Sequence, residues 1–262
     1  MSFETVLYET RDNYAEITLN RPERMNSFTA QLHADINAGF DRAEAEGARA
    51  ILVTGAGRGF SAGQDLTERE RPTAEKRPDL TVFLRERYNP LILRMRAMPL
   101  PIVMAINGVA AGAGMGFALA GDILIAGRSA SFLQAFIRLG LVPDAGNTFF
   151  LPRLVGMAKA RAMAMLGEPI PAEQAAAWGL IWKVVDDDAL MGEARALAAR
   201  LAEGPTRGYA LTKQVFDASL DNSLAAQLDL ERDLQYQAGH TEDYLEGVTA
   251  FLEKRKPAYR GE

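Results

Sequence analysis

The chain predicts an α/β protein whose strand-bearing N-terminal part gives way to helices toward the C-terminus. Short apolar runs, Ala50-Ile-Leu-Val-Thr54 and Ile102-Val-Met-Ala-Ile106, have the length of buried strands, and each is followed by a glycine-rich turn. From residue 152 onward the apolar spacing is helical. With 262 residues, 48% hydrophobic and 24% charged, the chain is long enough to bury a substantial core and has the composition of an ordinary globular protein.

The elements follow in order. Val6 to Tyr8 and Tyr14 to Leu19 flank the turn signal Arg11-Asp-Asn13 and predict a hairpin, ended by Arg21-Pro22. Ser27 to Gly47 carries Leu32, Ile36, Phe40 and Ala43 at helical spacing, with Gly47 as the stop. Arg49 to Thr54 reads as a buried strand and Gly55 to Gly63 as a loop. Residues 67–80 mix acids, bases and prolines, which favours a solvated loop over a nucleic-acid patch. Leu80 to Met98 reads as one helix stopped by Pro99 and Pro101. A second buried strand, Ile102 to Ile106, leads into a small-residue turn and a helix over Gly114 to Leu119. Ile123 to Ala126 is a third strand, and Ser131-Phe132 a candidate fourth. Helices are expected at Ala158 to Leu166, Ala172 to Trp178, Leu190 to Leu201 and Ser223 to Gln237, before the basic tail Lys254-Arg-Lys-Pro257.

Several function classes are disfavoured. The absence of cysteine removes disulfides, zinc thiolates and cysteine nucleophiles, and fits a reducing cytoplasm. The two histidines, His33 in a helical pattern and His240 beside Thr241 and Glu242, give little support to a metal centre or a Ser-His-Asp hydrolase, and no metal is expected. A formal net charge of −5 argues against nucleic acid as a partner. No basic segment followed by an apolar core opens the chain, so no signal peptide is expected. The most apolar stretch, Leu100 to Asp122, is broken by Pro101, Asn107 and five glycines, so no membrane span is expected.

Two loops place backbone N–H groups after a strand. Arg58-Gly-Phe-Ser-Ala-Gly-Gln-Asp65 follows the first buried strand, and Asn107-Gly-Val-Ala-Ala-Gly-Ala-Gly114 follows the second. Small residues let a ligand approach the main chain, and free N–H groups can hold a phosphate or a developing oxyanion. Neither loop is a P-loop, and the dinucleotide fingerprint is weak. Glycines that ease helix-on-sheet packing are the competing explanation. A third stretch, Gly140-Leu-Val-Pro-Asp-Ala-Gly-Asn-Thr148, sets the carboxylate Asp144 among apolar and small residues. A buried carboxylate needs a partner, a raised pKa or a chemical task; capping the turn or the helix near Asn147 is the structural alternative.

Taken jointly, Leu19-Asn-Arg-Pro-Glu-Arg-Met-Asn26, Phe60-Ser-Ala-Gly-Gln-Asp65, Asn107 to Gly114, Asp122 and Gly140-Leu-Val-Pro143 resemble the enoyl-CoA hydratase/isomerase superfamily over essentially the whole chain. The resemblance implies an α/β crotonase spiral of β-β-α units, expected over residues 1–200, with a helical oligomerisation region over 201–262. It implies an acyl-CoA substrate, no cofactor beyond the CoA that the substrate carries, a cytoplasmic location, and a homotrimer or dimer of trimers without nucleic-acid or membrane partners. By position, the backbone N–H groups of Gln64 and Ala113 would hold the thioester oxygen. Arg24 and Met25 would lie near the nucleotide and pantetheine, and Ala62, Gln64, Asp65 and Leu66 along the thioester arm. Phe83, Tyr88 and Leu91 are candidates for an acyl pocket, although core packing explains them equally well. The tail Lys254, Arg255 and Lys256 could meet CoA phosphates or simply end a helix.

Hydratases of the superfamily use two glutamates, and the matching positions here are Gly116 and Phe136. That leaves Asp144, whose place resembles that of the single base of the superfamily's isomerases. One base suffices for a 1,3-proton shift, because it delivers the proton it has taken. Leu141, Val142 and Phe136 are expected to help raise its pKa. Tyr88-Asn-Pro90, Gly59-Phe-Ser-Ala-Gly-Gln-Asp-Leu66, Val142-Pro-Asp144, Trp178 to Asp187 and Leu228 to Asp233 resemble the branch of isomerases acting on the ring epoxide of phenylacetyl-CoA. The alternatives are a straight-chain enoyl-CoA hydratase or isomerase and, in another class, a non-catalytic RNA-binding member. Asn147 departs from the family pattern, which usually continues with Gly.

Overall fold

The computed structural model describes residues 3–68, 71–73 and 75–262. The chain opens with the expected hairpin, β1 (Val6–Arg11) and β2 (Tyr14–Leu19). Asp12 and Asn13 both take positive φ, as a two-residue turn between twisted strands requires. Helix α1 (Ala30–Ala45) begins later than the sequence suggests, because Thr29 caps it by accepting from Leu32 N at 3.1 Å. It lays Leu32, Ile36, Phe40 and Ala43 against the core. Strand β3 (Ala50–Gly55) then runs parallel to β2.

From β3 onward a unit repeats. A long strand enters a large sheet, a short one enters a small sheet, and a helical segment returns the chain. In the first unit, β4 (Gly59–Ser61) is followed by α2 (Thr81–Phe83), a π-helical turn (Leu84–Tyr88) and α3 (Asn89–Ala97). The single helix expected over Leu80 to Met98 is thus interrupted. Pro90 lacks an N–H and crowds the preceding turn, and Asn89 N bonds back to Leu84 O. In the second unit, β5 (Ile102–Ile106) and β6 (Val109–Ala111) lead to α4 (Ala113–Leu119). In the third, β7 (Ile123–Gly127) and β8 (Ser131–Leu133) lead to a 3-10 turn (Ala135–Leu139) and α5 (Asn147–Val155). The short strands β4 and β6, expected as loop and turn, are too brief and too rich in small residues to show a strand period.

The remaining elements are α6 (Met157–Leu166), β9 (Pro169–Pro171), α7 (Ala172–Ala177), β10 (Lys183–Val185), α8 (Leu190–Ala202), α9 (Thr206–Ser219), α10 (Leu224–Ala238) and α11 (Glu242–Glu253). Among the described residues the strands form two sheets, ordered β1-β2-β3-β5-β7-β10 and β4-β6-β8-β9. Helix α9, which is not among the helices expected from the sequence, is tied in by Lys213. Its ammonium pairs with Asp122 at 2.9 Å and donates to Leu100 O at 3.0 Å.

The central strands of the large sheet are buried on both faces, which explains why β3 and β5 read as unbroken apolar runs. Ile51, Val53, Ile102, Met104 and Ile106 face one core. Leu52, Val103 and Ala105, offset by one residue, face a second core closed by Leu190, Ala194, Leu197 and Leu201 of α8. Replacing one such leucine with alanine costs about 2–5 kcal/mol. This packing makes the large sheet a rigid base, and the turns that follow strands β4, β6 and β8 of the small sheet converge on one region.

Candidate active site

The first turn leaves β4. Phe28 N donates to Gly63 O at 2.7 Å and Asp65 N donates to Phe28 O at 2.9 Å, so Phe28 and Gln64 form a parallel bridge. In that pattern the N–H of Gln64 points away from Phe28. Gly63 takes φ +86°, and a Cβ placed on it would lie 2.7 Å from Ala111 O and 3.3 Å from Ala113 N. Only glycine lets the two loops approach so closely.

The motif around Asn26 braces this turn. Asn26 is buried at positive φ, and its Nδ2 donates to Ala56 O at 2.9 Å and Gly59 O at 2.8 Å. Arg21 reaches Ser27 O and the Asp65 carboxylate, and Ser27 and Thr67 add hydrogen bonds to Asp65. Burial pushes the Asp65 carboxyl up, but the bonds from Thr67, Arg21 and Ser27 outweigh it and hold the pKa at about 2. Asp65 is therefore committed to the loop's own architecture.

The second turn leaves β6. Gly112, at φ +54°, precedes α4, and its carbonyl accepts from Met115 N, Gly116 N and Asn147 Nδ2 at 3.1, 3.2 and 3.1 Å. Neither Gln64 N nor Ala113 N donates to a protein acceptor among the described residues. Two amides on adjoining loops are thus available to an oxygen that gains negative charge.

The third turn carries Asp144. Asn147 N and Nδ2 both donate to Asp144 O, at 3.0 and 2.8 Å, and Gln134 Nε2 donates to Asn147 Oδ1 at 2.7 Å. Asp144 is half-buried rather than enclosed. Of the apolar neighbours expected around it, Phe136 is buried and lies 3.8 Å from a Cβ placed on Gly112, Leu141 is half-buried, and Val142 is 79% exposed. The turn is held by main-chain and amide hydrogen bonds and sits at the surface, so Val142 meets solvent. Gly116 has no room for a side chain. A Cβ there would collide with Ala145 O and lie 2.7 Å from Asn147 Nδ2.

The structure thus brings together Gln64, Ala113 and the Asp144 turn, and it brings Met25 against Ala62, whose N–H donates to Met25 O at 2.8 Å. Arg24, Ala62 and Leu66 are exposed on the same loops. Tyr88 and Leu91 are core residues, whereas Phe83 is half-buried. A mainly apolar cavity of about 440 Å³, lined by Ile92, Leu93, Gly146, Phe149 and Phe150 together with Asn89, Arg96 and Asp217, adjoins the Asp144 turn instead. In the basic tail, Lys254 ends α11, Arg255 pairs with Glu246 at 2.6 Å, and Lys256 pairs with Glu203 at 2.7 Å.

Two features escaped the sequence reading. Tyr88 Oη donates to Gln64 Oε1 at 2.9 Å, while Gln64 Nε2 donates to Phe28 O and Asp65 O, both at 3.1 Å. Gln134, a single amide within Ser131-Phe-Leu-Gln-Ala-Phe136, is fully buried and orients Asn147; an amide alone in an apolar run was the available signal. His33 packs edge-on to Tyr88, 4.4 Å between ring centroids. Burial first, and then the charge of Arg87, lowers its pKa to about 4.

Comparison with known proteins identifies the family and the fold. A 1,2-epoxyphenylacetyl-CoA isomerase from Escherichia coli is 49% identical over 98% of this chain and 99% of its own length. A Rhodobacter capsulatus protein named "probable enoyl-CoA hydratase" is also 49% identical, over 100% of both chains. A Mycobacterium abscessus crystal structure of the enoyl-CoA hydratase/isomerase type superposes with a TM-score of 0.92 at 36% identity, covering 98% of this chain and 100% of that one. A family model described as enoyl-CoA hydratase/isomerase matches residues 9–262. The chain therefore belongs to the enoyl-CoA hydratase/isomerase family and has the crotonase fold.

Proposed function

We propose that the protein isomerises acyl-CoA thioesters, converting the ring 1,2-epoxide of phenylacetyl-CoA to its oxepin form and shifting enoyl-CoA double bonds. The observation that carries this reading is one carboxylate, Asp144, on a turn strapped to the peptide that bears the Ala113 N–H, with the space beside Gly116 already filled. Asp144 takes a proton from the carbon next to the thioester, the electron pair moves onto the carbonyl oxygen, and the N–H groups of Gln64 and Ala113 receive that oxyanion. The same carboxyl then returns the proton to a carbon further along the conjugated system. Loss of one such oxyanion donor costs about 3 kcal/mol of transition-state stabilisation.

The CoA arm runs along Arg24, Met25, Ala62, Gln64, Asp65 and Leu66, with the Asp65 carboxylate acting as the loop's anchor. The acyl end enters the apolar cavity beside Gly146. No cofactor is needed, since the proton and the electron pair both stay within enzyme and substrate. Exposed apolar side chains on the C-terminal helices, including Phe216, Leu224 and Phe251, support self-association through residues 201–262, and the resemblance to the family makes that a homotrimer or dimer of trimers. The lack of a basic and aromatic strip and the net charge of −5 argue against a nucleic-acid partner, and a sequence without cysteine fits a cytoplasmic enzyme.

A second reading, hydration of 2-enoyl-CoA, is favoured by the names of several relatives, the Rhodobacter protein's among them. Hydration needs groups for both a water and a carbon proton, and positions 116 and 136 supply none. Wild type and Asp144→Asn are to be assayed with 3-enoyl-CoA, 2-enoyl-CoA and ring-epoxide substrates. The expectation is isomerisation by wild type, a loss of about 100-fold or more in the variant with the fold intact, and no rapid hydration. Full activity in Asp144→Asn would sink the mechanism.

A further inference from the structure

The carbonyl of Gly112 and the N–H of Ala113 belong to one planar peptide unit, so whatever holds the carbonyl also sets the direction of the N–H. Gly112, at positive φ and without a side chain, does not fix that plane itself. Asn147 Nδ2 supplies the restraint from outside the loop, donating to Gly112 O at 3.1 Å beside the bonds from Met115 N and Gly116 N. Three donors on one carbonyl oxygen polarise the peptide and make its N–H a stronger donor.

The same nitrogen donates to Asp144 O at 2.8 Å, and Asn147 N bonds to that oxygen as well. One side chain therefore straps the main chain of Asp144 to the peptide carrying Ala113 N–H. Asn147 is fully buried, and Gln134 Nε2 on its Oδ1 fixes which end of the amide faces the two carbonyls.

We propose that Asn147 is a positioning residue that aims and polarises the Gly112–Ala113 peptide toward the thioester oxygen and holds the Asp144 turn in register with it, so that proton transfer and oxyanion stabilisation occur in one geometry. This rests on the isomerase reading given above.

The test uses the full-length enzyme with 4-dimethylaminocinnamoyl-CoA, whose absorption band moves to longer wavelength as hydrogen bonds to its thioester oxygen strengthen. Wild type and Asp144→Asn should shift the band equally, because Asp144 acts on carbon and not on the oxygen. Asn147→Ala and the similarly sized Asn147→Asp should lose most of the shift while binding the probe within about threefold of wild type, and should lower kcat on 3-enoyl-CoA about ten- to a hundredfold with KM little changed. Gln134→Met, which removes the bond that orients Asn147 but touches neither carbonyl, should give an intermediate shift. It also keeps the question answerable if the Asn147 variants fail to fold. A full wild-type shift in folded Asn147 variants or, where those do not fold, in Gln134→Met overturns the proposal. No shift in probe-saturated wild type overturns the oxyanion reading, and this proposal with it.

Discussion

The Tyr88 hydroxyl donates to the side-chain carbonyl of Gln64 at 2.9 Å, joining the π-helical turn before α3 to the loop that offers the Gln64 amide. The bond leaves Gln64 Nε2 free to hold Phe28 O and Asp65 O. Tyr88→Phe removes one hydroxyl from a buried ring and leaves the packing in place. We expect a stability loss of about 1 kcal/mol and about a tenfold fall in kcat/KM for double-bond isomerisation. Unchanged kinetics would show that the Gln64 side chain has no bearing on its amide.

Restoring hydratase glutamates should not restore a hydratase. A side chain at Gly116 runs into Ala145 O and Asn147 Nδ2. Gly116→Ala alone should cost about 1–3 kcal/mol by overpacking, read from the denaturant midpoint. The double variant Gly116→Glu and Phe136→Glu should then show no 2-enoyl-CoA hydration above wild type. Rapid hydration by that protein would mean that the Asp144 turn yields more readily than its hydrogen bonds imply.

His33 makes stability depend on pH. Its imidazole is buried, neither ring nitrogen has a hydrogen-bond partner among the described residues, and its pKa falls from 6.5 to about 4. The unfolded chain therefore binds the proton first. Stability from this site is complete above pH 6.5, declines as pH falls toward 4 and is level below that, a total of about 3 kcal/mol. Unfolding free energies measured from pH 7 to 4 should fall less steeply in His33→Leu. An identical slope in the two proteins would contradict the assignment.

Lys213 and Asp122 form a largely buried pair, and burial lowers the lysine pKa while raising that of the aspartate. Lys213→Met should cost about 3 kcal/mol, the low end for breaking a buried pair, because Arg96 and Ile102 N still meet Asp122. Adding Asp122→Asn should recover part of that loss in a double-mutant cycle. Strict additivity would show that the two residues act independently.

Much of the fold was legible because burial leaves a mark on local sequence. Strands β3 and β5 read as continuous apolar runs since both of their faces are covered, and α1 shows its helical period since only one of its faces is. Strands β4, β6 and β9 left no such mark. Each spans three residues and is held by neighbours distant in sequence, so no period can develop. The π turn at Leu84–Tyr88 is similar: Pro90 signals a disturbance, but only the ladder itself shows how the disturbance is absorbed.

The sequence by itself determined the chemical inventory: one carboxylate in the Gly140 to Thr148 loop, two glycine turns after strands, no glutamate at positions 116 or 136, and an asparagine at 147. Tertiary structure decided what those residues do to one another. It turned the Asp65 carboxylate inward as an anchor, exposed Val142 beside Asp144, filled the space over Gly116, and placed Asn147 between Gly112 and Asp144. The physical reason is that composition and spacing specify which groups a loop carries. The direction in which a peptide N–H or a side-chain amide points is set by acceptors and donors that only the folded chain brings within hydrogen-bonding distance.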